Sequence, residues 1–298
     1  MNSDREVSLL ILAGGLGSRY HGSKQVDEIG PNGEFLLEYA IYDALHAGFP
    51  QIVVVVNKDI ELILKLRWTR LIETGKVTLI KQLLEESMQA APRRKPWGTG
   101  HAVLCAKETI QGPFLVVNAD DFYGRETFTQ AYHFLTSDCI SSHNMGMIAF
   151  QLGKTLSAHG SVSRGVCTVT EKSELASIQE CEEITLMNGI PVAKTKGSEV
   201  LHNNTLVSMN CWLLHDSFFD FLNRFFLEFY NENRQSESVE FYLPSAVQRA
   251  MHEESITISV LKSSEEWVGL TYPGDKTEAR EKIAQLIKLG HYPEHLNL

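Results

Sequence analysis

The sequence predicts an α/β fold built on a doubly wound, mostly parallel β-sheet that carries a mixed β lid or insertion. Short β-rich runs alternate with helical patterns through the first half of the chain. The strand runs are continuously apolar, as expected for parallel strands that helices cover on both faces. With 298 residues and 43% hydrophobic content, the chain is large enough to bury such a core.

The first half supplies the parallel part of the predicted sheet. Helical patterns separate its successive strands, as they do in β-α-β units. The predicted strands are residues 7–12, 52–56, 77–80 and 114–117, and the predicted helices are residues 35–46, 60–72 and 101–109, with another helix starting near Arg125.

The second half begins near Asn144 with short strands and polar turns, which predict the mixed-sheet lid. These strands are residues 146–151, 165–170 and 206–214, and they precede helical patterns at residues 216–230, 239–251 and 276–289. The last pattern stops at Gly290, where a glycine often ends a helix. No repeat or linker interrupts the chain, so a single domain over residues 1–298 is predicted.

The composition excludes several classes of protein. A net charge of −10 opposes nonspecific binding to nucleic acid. The apolar run at residues 7–13 is too short for a signal peptide or a membrane span, so a cytoplasmic protein without a membrane partner is predicted. Five scattered cysteines without a Cys-x-x-Cys pair indicate reduced thiols rather than disulfides or a zinc site.

A glycine-rich segment, LAGGLGSR at residues 12–19, directly follows the first predicted strand. Glycines let backbone amides approach an anion without obstruction by side chains, so the segment is typical of a phosphate-binding loop. A Rossmann fingerprint would need a third glycine at position 20, where this chain has Tyr20. A P-loop would need a lysine directly after Gly22, but Ser23 separates Gly22 from Lys24. An ordinary glycine-rich turn is the alternative.

Two cations belong to the same loop. Arg19 and Lys24 could neutralise a departing pyrophosphate, although isolated cations are more often solvated surface charges. Asp120 and Asp121 follow the apolar run at residues 114–119, which places them at the carboxyl end of a predicted strand, where α/β proteins bind ligands. Their oxygens suit magnesium, and a strand-ending turn is the equal alternative.

Another pair of glycines surrounds Thr99, at a predicted helix start. Backbone groups there can meet a planar base or a phosphate, and a simple helix cap at Thr99 is the alternative.

Together these motifs resemble the sugar-phosphate nucleotidyltransferase superfamily, over most of the chain. The resemblance implies its Rossmann-like fold, Mg²⁺ as cofactor, Asp120 as a metal ligand and catalytic roles for Arg19, Lys24 and Asp120. The nucleotide-binding residues it implies are Leu12, Ala13, Gly14, Gly15, Gly17, Ser18, Gln82, Gly98 and Thr99. The Gly98-Thr99 pair mildly favours a pyrimidine nucleotide.

By the same resemblance, residues 1–143 form a nucleotide-binding half and residues 144–298 an acceptor-binding half. Gly165, Glu180 and Asn210 are the implied acceptor-binding residues; a turn, a solvated strand residue and a buried amide are the alternatives. Many relatives carry Glu-Lys-Pro where this chain has Glu180-Cys181-Glu182, and Asp275 stands in for the second metal carboxylate.

The implied reaction joins a nucleoside triphosphate to a sugar 1-phosphate, giving an NDP-sugar and pyrophosphate. Two alternatives stay open: a cytidylyltransferase that acts on a non-sugar phosphate acceptor, and a catalytically silent sensor of nucleotides or sugar phosphates. The basic stretch at residues 83–96 is either a lid over phosphates or a solvated charge run.

Overall fold

The computed structural model describes residues 6–15, 24–83, 93, 95–194 and 199–298. Its first half contributes four parallel strands, in the order β3-β2-β1-β4 across the sheet. These are β1 (Ser8–Ala13), β2 (Gln51–Val56), β3 (Val77–Lys81) and β4 (Phe114–Asn118), followed by the two-residue β5 (Asp121–Phe122). The predicted parallel sheet is confirmed, and its central strands are almost fully buried.

Helices cover this parallel part. They are α1 (Leu36–Ala47), α2 (Lys58–Arg67), α3 (Thr69–Glu73), α4 (Thr99–Leu104) and α5 (Arg125–Thr136). The single helix predicted over residues 60–72 is wrong, because the chain breaks at Trp68 between α2 and α3. The Trp68 indole Nε1 donates to Glu38 Oε1 of α1 at 2.7 Å. Trp68 thus anchors the junction of α2 and α3 to α1. Helix α4 starts two residues earlier than predicted and ends at Leu104.

The second half adds mostly antiparallel strands. They are β6 (Asn144–Gln151), β7 (Val162–Val169), β8 (Leu175–Met187), β9 (Ile190–Ala193), β10 (Glu199–Val200), β11 (Leu206–Leu214), β12 (Thr257–Lys262) and β13 (Val268–Gly269). The sequence patterns predicted β6, β7 and β11 but missed β8, β9, β10, β12 and β13. Strands β7 to β10 form an antiparallel branch, which is the mixed-sheet part of the predicted fold.

Strand β11 connects the two halves. Its C-terminal part pairs antiparallel with β4, its N-terminal part pairs with β7, and β6 pairs with both parts. The register with β6 shifts between Ser208 and Trp212, which marks a bulge. Asn210 lies in that bulge with φ of 57°, a left-handed conformation that asparagine tolerates better than most residues. The bulge therefore lies where the parallel sheet meets the antiparallel branch.

The last helices pack around this sheet. They are α6 (Phe218–Asn233), α7 (Leu243–Glu253) and α8 (Asp275–Lys288). The helix predicted from residue 239 begins at Leu243, because residues 239–242 are extended and Phe241 exchanges backbone hydrogen bonds with Trp97 and Gly100. Within the described part of the chain, no helix has the length and apolarity that crossing a bilayer requires.

The C-terminal segment folds back onto α1. Tyr292 Oη donates to Asp43 Oδ2 at 2.7 Å, and Arg125 Nε lies 3.5 Å from Asp43 Oδ1. Burial raises the pKa of Asp43 to about 7, while Tyr292 and Arg125 act in the opposite direction.

One sheet runs through both halves of the chain, because β11 pairs with strands of each half. The predicted division of the chain at residue 143 stays a prediction.

Candidate active site

A cavity of about 300 Å³ lies beside the carboxyl ends of the parallel strands, and both halves of the chain line it. The first half contributes Lys24, Thr99, Asn118, Asp120 and Asp121; the second contributes Ser163, Arg164, Gly165, Ile178, Glu180, Ser208, Met209, Asn210, Tyr242, Pro244, Trp267 and Thr271. The structure thus brings together Lys24 and Asp120 with all three acceptor-site candidates.

The glycine-rich segment begins where β1 ends. Leu12 and Ala13 still belong to β1, and their side chains are buried, so only their backbone can serve a ligand. A Cβ on Gly14 would lie 2.2 Å from Gln82 Oε1, so a side chain at this position would displace Gln82. Gly17, Ser18 and Arg19 lie outside the described residues, and their roles stay predictions.

Lys24 and Asp120 form an ion pair in the cavity wall. Asp120 follows β4, as the sequence predicts, and its side chain is 16% exposed. Lys24 begins a single 3-10 turn that follows the glycine-rich segment. A cation and a carboxylate are therefore held together at the edge of the sheet where the glycine-rich segment begins.

Asp121 has a different environment, although it is adjacent in sequence. Its backbone pairs with Gly269 of β13, and its Oδ2 accepts from Asn118 Nδ2 at 2.9 Å and contacts Tyr123 Oη at 3.1 Å. Burial, reinforced by the charge of Asp120, raises the pKa of Asp121 to about 7. The two carboxyls therefore differ in access to ligands, and Asp120 is the more accessible one.

A pair of asparagines joins the two halves at the base of the cavity. Asn210 Nδ2 donates to Asn118 Oδ1 at 2.7 Å, and Trp212 Nε1 donates to Asn210 Oδ1 at 2.9 Å. The predicted acceptor residue Asn210 is thus fixed by the strand that precedes Asp120. Sequence reasoning missed Asn118, whose signal was a polar residue at the end of an apolar strand.

The other acceptor candidates face each other across two paired strands. Gly165 of β7 pairs with Glu180 of β8, and a Cβ on Gly165 would lie 2.8 Å from Ile178 Cγ2. Burial raises the pKa of Glu180, and the charge of Arg164 acts in the opposite direction. Sequence reasoning did not select Arg164, Tyr242 or Trp267, which belong to three segments that only the fold brings together.

The predicted base-reading residues also lie close to one another. Gln82 Nε2 donates to Gly98 O at 3.0 Å, and Thr99 lines the cavity while its Oγ1 accepts from Leu243 N at 3.0 Å. Gly98 has φ of 98°, and a Cβ there would lie 2.6 Å from Phe241 O. Glycine is therefore required at this position by backbone packing, whether or not a base approaches it.

Asp275 lies outside the residues that line the cavity. Its Oδ2 accepts from the backbone N–H groups of Thr271 and Tyr272 at 2.8 and 2.7 Å, and Ser157 Oγ donates to its Oδ1 at 2.7 Å. Its carboxylate also lies within 4.8 Å of ligand atoms of His159 and Glu278. These contacts hold the start of α8, and the metal role of Asp275 stays a prediction.

Residues 9–121 match the family model of the MobA-like NTP transferase domain. This part of the chain is therefore similar to a nucleotidyltransferase domain. The matched part begins in β1 and ends at Asp121, so it spans the glycine-rich segment, Lys24 and both carboxylates. A sequence search of curated proteins finds no match.

Solved structures share this nucleotidyltransferase fold over nearly their whole length. The inositol-1-phosphate CTP transferase from T. maritima aligns with a TM-score of 0.63 at 12% identity, over 97% of this chain and 98% of its own. A Bacillus anthracis protein described as a glucose-1-phosphate thymidylyltransferase, in complex with a sucrose, gives 0.62 at 12% identity over 93% and 95%. The CTP:phosphocholine cytidylyltransferase from Streptococcus pneumoniae gives 0.59 at 13% identity over 93% and 99%.

The donors in the cavity fit a magnesium ion. Mg²⁺ prefers hard oxygen ligands and is usually bound by one or two carboxylates together with substrate phosphates. Asp120 provides such a carboxylate in the cavity, whereas the oxygens of Asp275 already accept three hydrogen bonds. Asp120 is therefore the carboxylate in the cavity that is best placed to hold the ion.

Proposed function

We propose that this chain is a sugar-1-phosphate nucleotidyltransferase, which joins a nucleoside triphosphate to a sugar 1-phosphate and releases pyrophosphate. The observation that carries the proposal is the shared cavity, where Lys24 and Asp120 meet Gly165, Glu180 and Asn210. A transfer between two anions requires such a site, because both substrates must approach while their charges repel.

In the proposed reaction, an oxygen of the acceptor phosphate attacks the α-phosphorus of the triphosphate. The bond from that phosphorus to the bridging oxygen breaks, and pyrophosphate leaves with the electron pair. No protein nucleophile is needed, so positioning and charge stabilisation provide the catalysis. A magnesium ion held by Asp120 would neutralise phosphate charge when bound.

The protein groups have separate tasks in this proposal. The backbone amides of Gly14 and Gly15 orient the triphosphate, and Lys24, together with Arg19, stabilises the negative charge that develops on the leaving pyrophosphate. Gln82, which contacts Gly98, reads the edge of the base. If Gln82→Ala leaves the preference among four nucleoside triphosphates unchanged, this assignment to the base is wrong.

The lining of the acceptor side favours a polyol. Asn210 keeps one amide N–H and one carbonyl lone pair beyond its bonds to Asn118 and Trp212, and Glu180 adds a carboxyl. Ser163, Ser208 and Thr271 add three hydroxyl groups. Such donors and acceptors match the hydroxyl groups of a sugar better than an apolar acceptor.

A second candidate is cytidylyl transfer to a non-sugar alcohol phosphate. The observation that favours it is that two of the three solved structures described above are CTP-using transferases, one for inositol 1-phosphate and one for phosphocholine. A third possibility, a silent sensor, would bind nucleotide without releasing pyrophosphate.

A pyrophosphate-release screen separates these possibilities. The full chain is incubated with Mg²⁺, each of CTP, UTP, dTTP, ATP and GTP, and either glucose 1-phosphate, inositol 1-phosphate or phosphocholine. Release with the sugar phosphate supports the proposal, and release only with inositol 1-phosphate or phosphocholine supports the second candidate. Nucleotide binding without release from any pair contradicts both enzyme assignments.

A further inference from the structure

Arg164 is a buried arginine in the wall of the active-site cavity. Only 8% of the residue is exposed, and it stands on β7 directly before Gly165. Among the residues that the structure describes, no carboxylate lies within ion-pair distance of its guanidinium. Burial of a cation without a paired anion costs free energy, so this position calls for a physical explanation.

The guanidinium is held by neutral groups. It donates to the carbonyl and hydroxyl oxygens of Thr155 and to Ser163 O, and it packs 4.8 Å from the ring of Trp267. A guanidinium has five N–H groups, and these contacts use three of them. Two donors are left in a rigid group whose orientation Thr155 and Trp267 fix.

The charge of Arg164 acts on the cavity. Burial raises the pKa of Glu180, which lines the cavity, and the charge of the nearby Arg164 acts in the opposite direction. Burial lowers the pKa of Arg164 itself to about 10, which still leaves it charged near neutral pH. Within the described part of the chain, this side of the cavity therefore contains a fixed positive charge that no carboxylate contacts at ion-pair distance.

Resting on the proposed function, we infer that Arg164 binds the phosphate of the acceptor. The planar guanidinium matches two oxygens of a phosphate group. Arg164 belongs to the same branch as Glu180, whereas Lys24 and the glycine-rich segment belong to the first half. Separate cations thus serve the two substrates, and Arg164 serves the acceptor.

Methyl phosphate, the simplest phosphomonoester, provides the test. The full chain is first saturated with Mg²⁺ and the α,β-methylene analogue of the triphosphate that supported turnover, and methyl phosphate is then titrated by calorimetry. Arg164→Met should weaken methyl phosphate binding by roughly 10- to 100-fold, the usual worth of hydrogen bonds to a charged group. Binding of the triphosphate analogue should change by less than about threefold, since the inference assigns Arg164 to the acceptor.

Arg93 offers a matched control. It also donates to three backbone carbonyls, of Lys95, Pro96 and Ser236, and it packs 4.0 Å from the ring of Trp97, but it does not line the cavity. Arg93→Met should lower thermal stability and leave methyl phosphate binding unchanged. Equal losses of phosphate affinity in the two variants would mean that Arg164 only supports the fold.

Arg164→Lys keeps the charge and loses the planar pair of donors, so it should bind methyl phosphate with intermediate affinity. If Arg164→Met does not fold, the Arg164→Lys variant is used for the test instead. Wild-type methyl phosphate affinity in Arg164→Met would overturn the inference and leave the proposed function intact. If no triphosphate supports turnover by the wild-type chain, the proposed function fails, and the assignment of Arg164 falls with it.

Discussion

At the scale of single residues, the site depends on two adjacent carboxyls that the fold treats differently. Asp120 faces the cavity and pairs with Lys24, while Asp121 is buried against Asn118 and Tyr123. Strand β5 explains the difference, because its pairing with β13 turns Asp121 away from solvent. Adjacent residues of the same type can therefore have different roles.

Exchanging each carboxyl for an amide separates these roles. Asp120→Asn replaces an anionic oxygen by a neutral one and should reduce magnesium-dependent pyrophosphate release by at least about 100-fold. Asp121→Asn should have a much smaller effect, because burial already favours the neutral form of Asp121 and an amide resembles it. Loss of activity in the Asp121 variant alone would show that the wrong carboxyl was chosen.

Lys24 makes a second prediction possible at this scale. Because Lys24 pairs with Asp120, Lys24→Ala should tighten magnesium binding, while it slows turnover more than it weakens binding of the triphosphate. Titration with Mn²⁺, followed by electron paramagnetic resonance, measures the first effect, and steady-state kinetics measure the second. Unchanged metal binding together with unchanged turnover would assign Lys24 to the solvated surface. The corresponding role of Arg19 stays a prediction.

At the scale of elements, strand β11 positions the acceptor side. Its bulge places Asn210 in a left-handed conformation and directs the amide toward Asn118 at the end of β4. One irregular strand therefore sets the distance between the carboxyl that suits the metal and the groups that suit the acceptor. Regular pairing along β11 would remove that contact.

Two substitutions at Asn210 separate the backbone from the side chain. Asn210→Gly removes the amide and keeps the left-handed backbone, so it should lower kcat/KM for the acceptor, and it should lose the stability contributed by the hydrogen bonds to Asn118 and Trp212. Asn210→Ala should lower kcat/KM similarly and cost about 1 kcal/mol more stability, because alanine disfavours this conformation. Urea unfolding and acceptor kinetics measure the two quantities. Full activity in Asn210→Gly would exclude a role of the amide in acceptor binding.

The elements also differ in how well the sequence predicts them. The apolar runs of β1, β2 and β4 gave the parallel sheet and placed Asp120 at its edge, because complete burial produces an unambiguous pattern. Strand β8 was missed because many of its thirteen residues are exposed and its pattern is irregular. The contact of Asn118 with Asn210 spans 92 residues and depends on the insertion of β11 beside β4, which no local pattern encodes.

At the scale of the whole molecule, the C-terminal segment closes the fold over α1 with a buried carboxyl. Burial raises the pKa of Asp43 to about 7 in the folded chain, whereas the pKa of an ordinary aspartate is about 3.8. Between these values the folded chain binds the proton more strongly than the unfolded chain. The contribution of Asp43 to stability therefore grows as the pH falls from about 7 to 4, and its ionisation at higher pH is unfavourable.

Asp43→Asn should remove this dependence. The variant keeps an oxygen that can accept from Tyr292 and carries no charge. Its free energy of unfolding relative to that of the wild type should therefore be highest at pH 8.5. This difference in unfolding free energy should fall by at most about 4 kcal/mol toward pH 4, because a pKa shift of about three units sets that limit. Free energies of unfolding in urea at pH 4.5, 7 and 8.5 measure it. Parallel pH profiles for the two proteins would show that Asp43 titrates normally.

The double pairing of β11 also bears on how such a chain diversifies. The family match ends at Asp121, so it covers the parallel strands and leaves out the branch from β7 to β10. That branch pairs with the N-terminal part of β11, whereas β4 pairs with the C-terminal part, on the other side of the bulge. We therefore expect a change of length or sequence in the branch to leave the register of β4 and the parallel sheet intact. Under the proposed function, acceptor preference is the property that such changes would alter most readily.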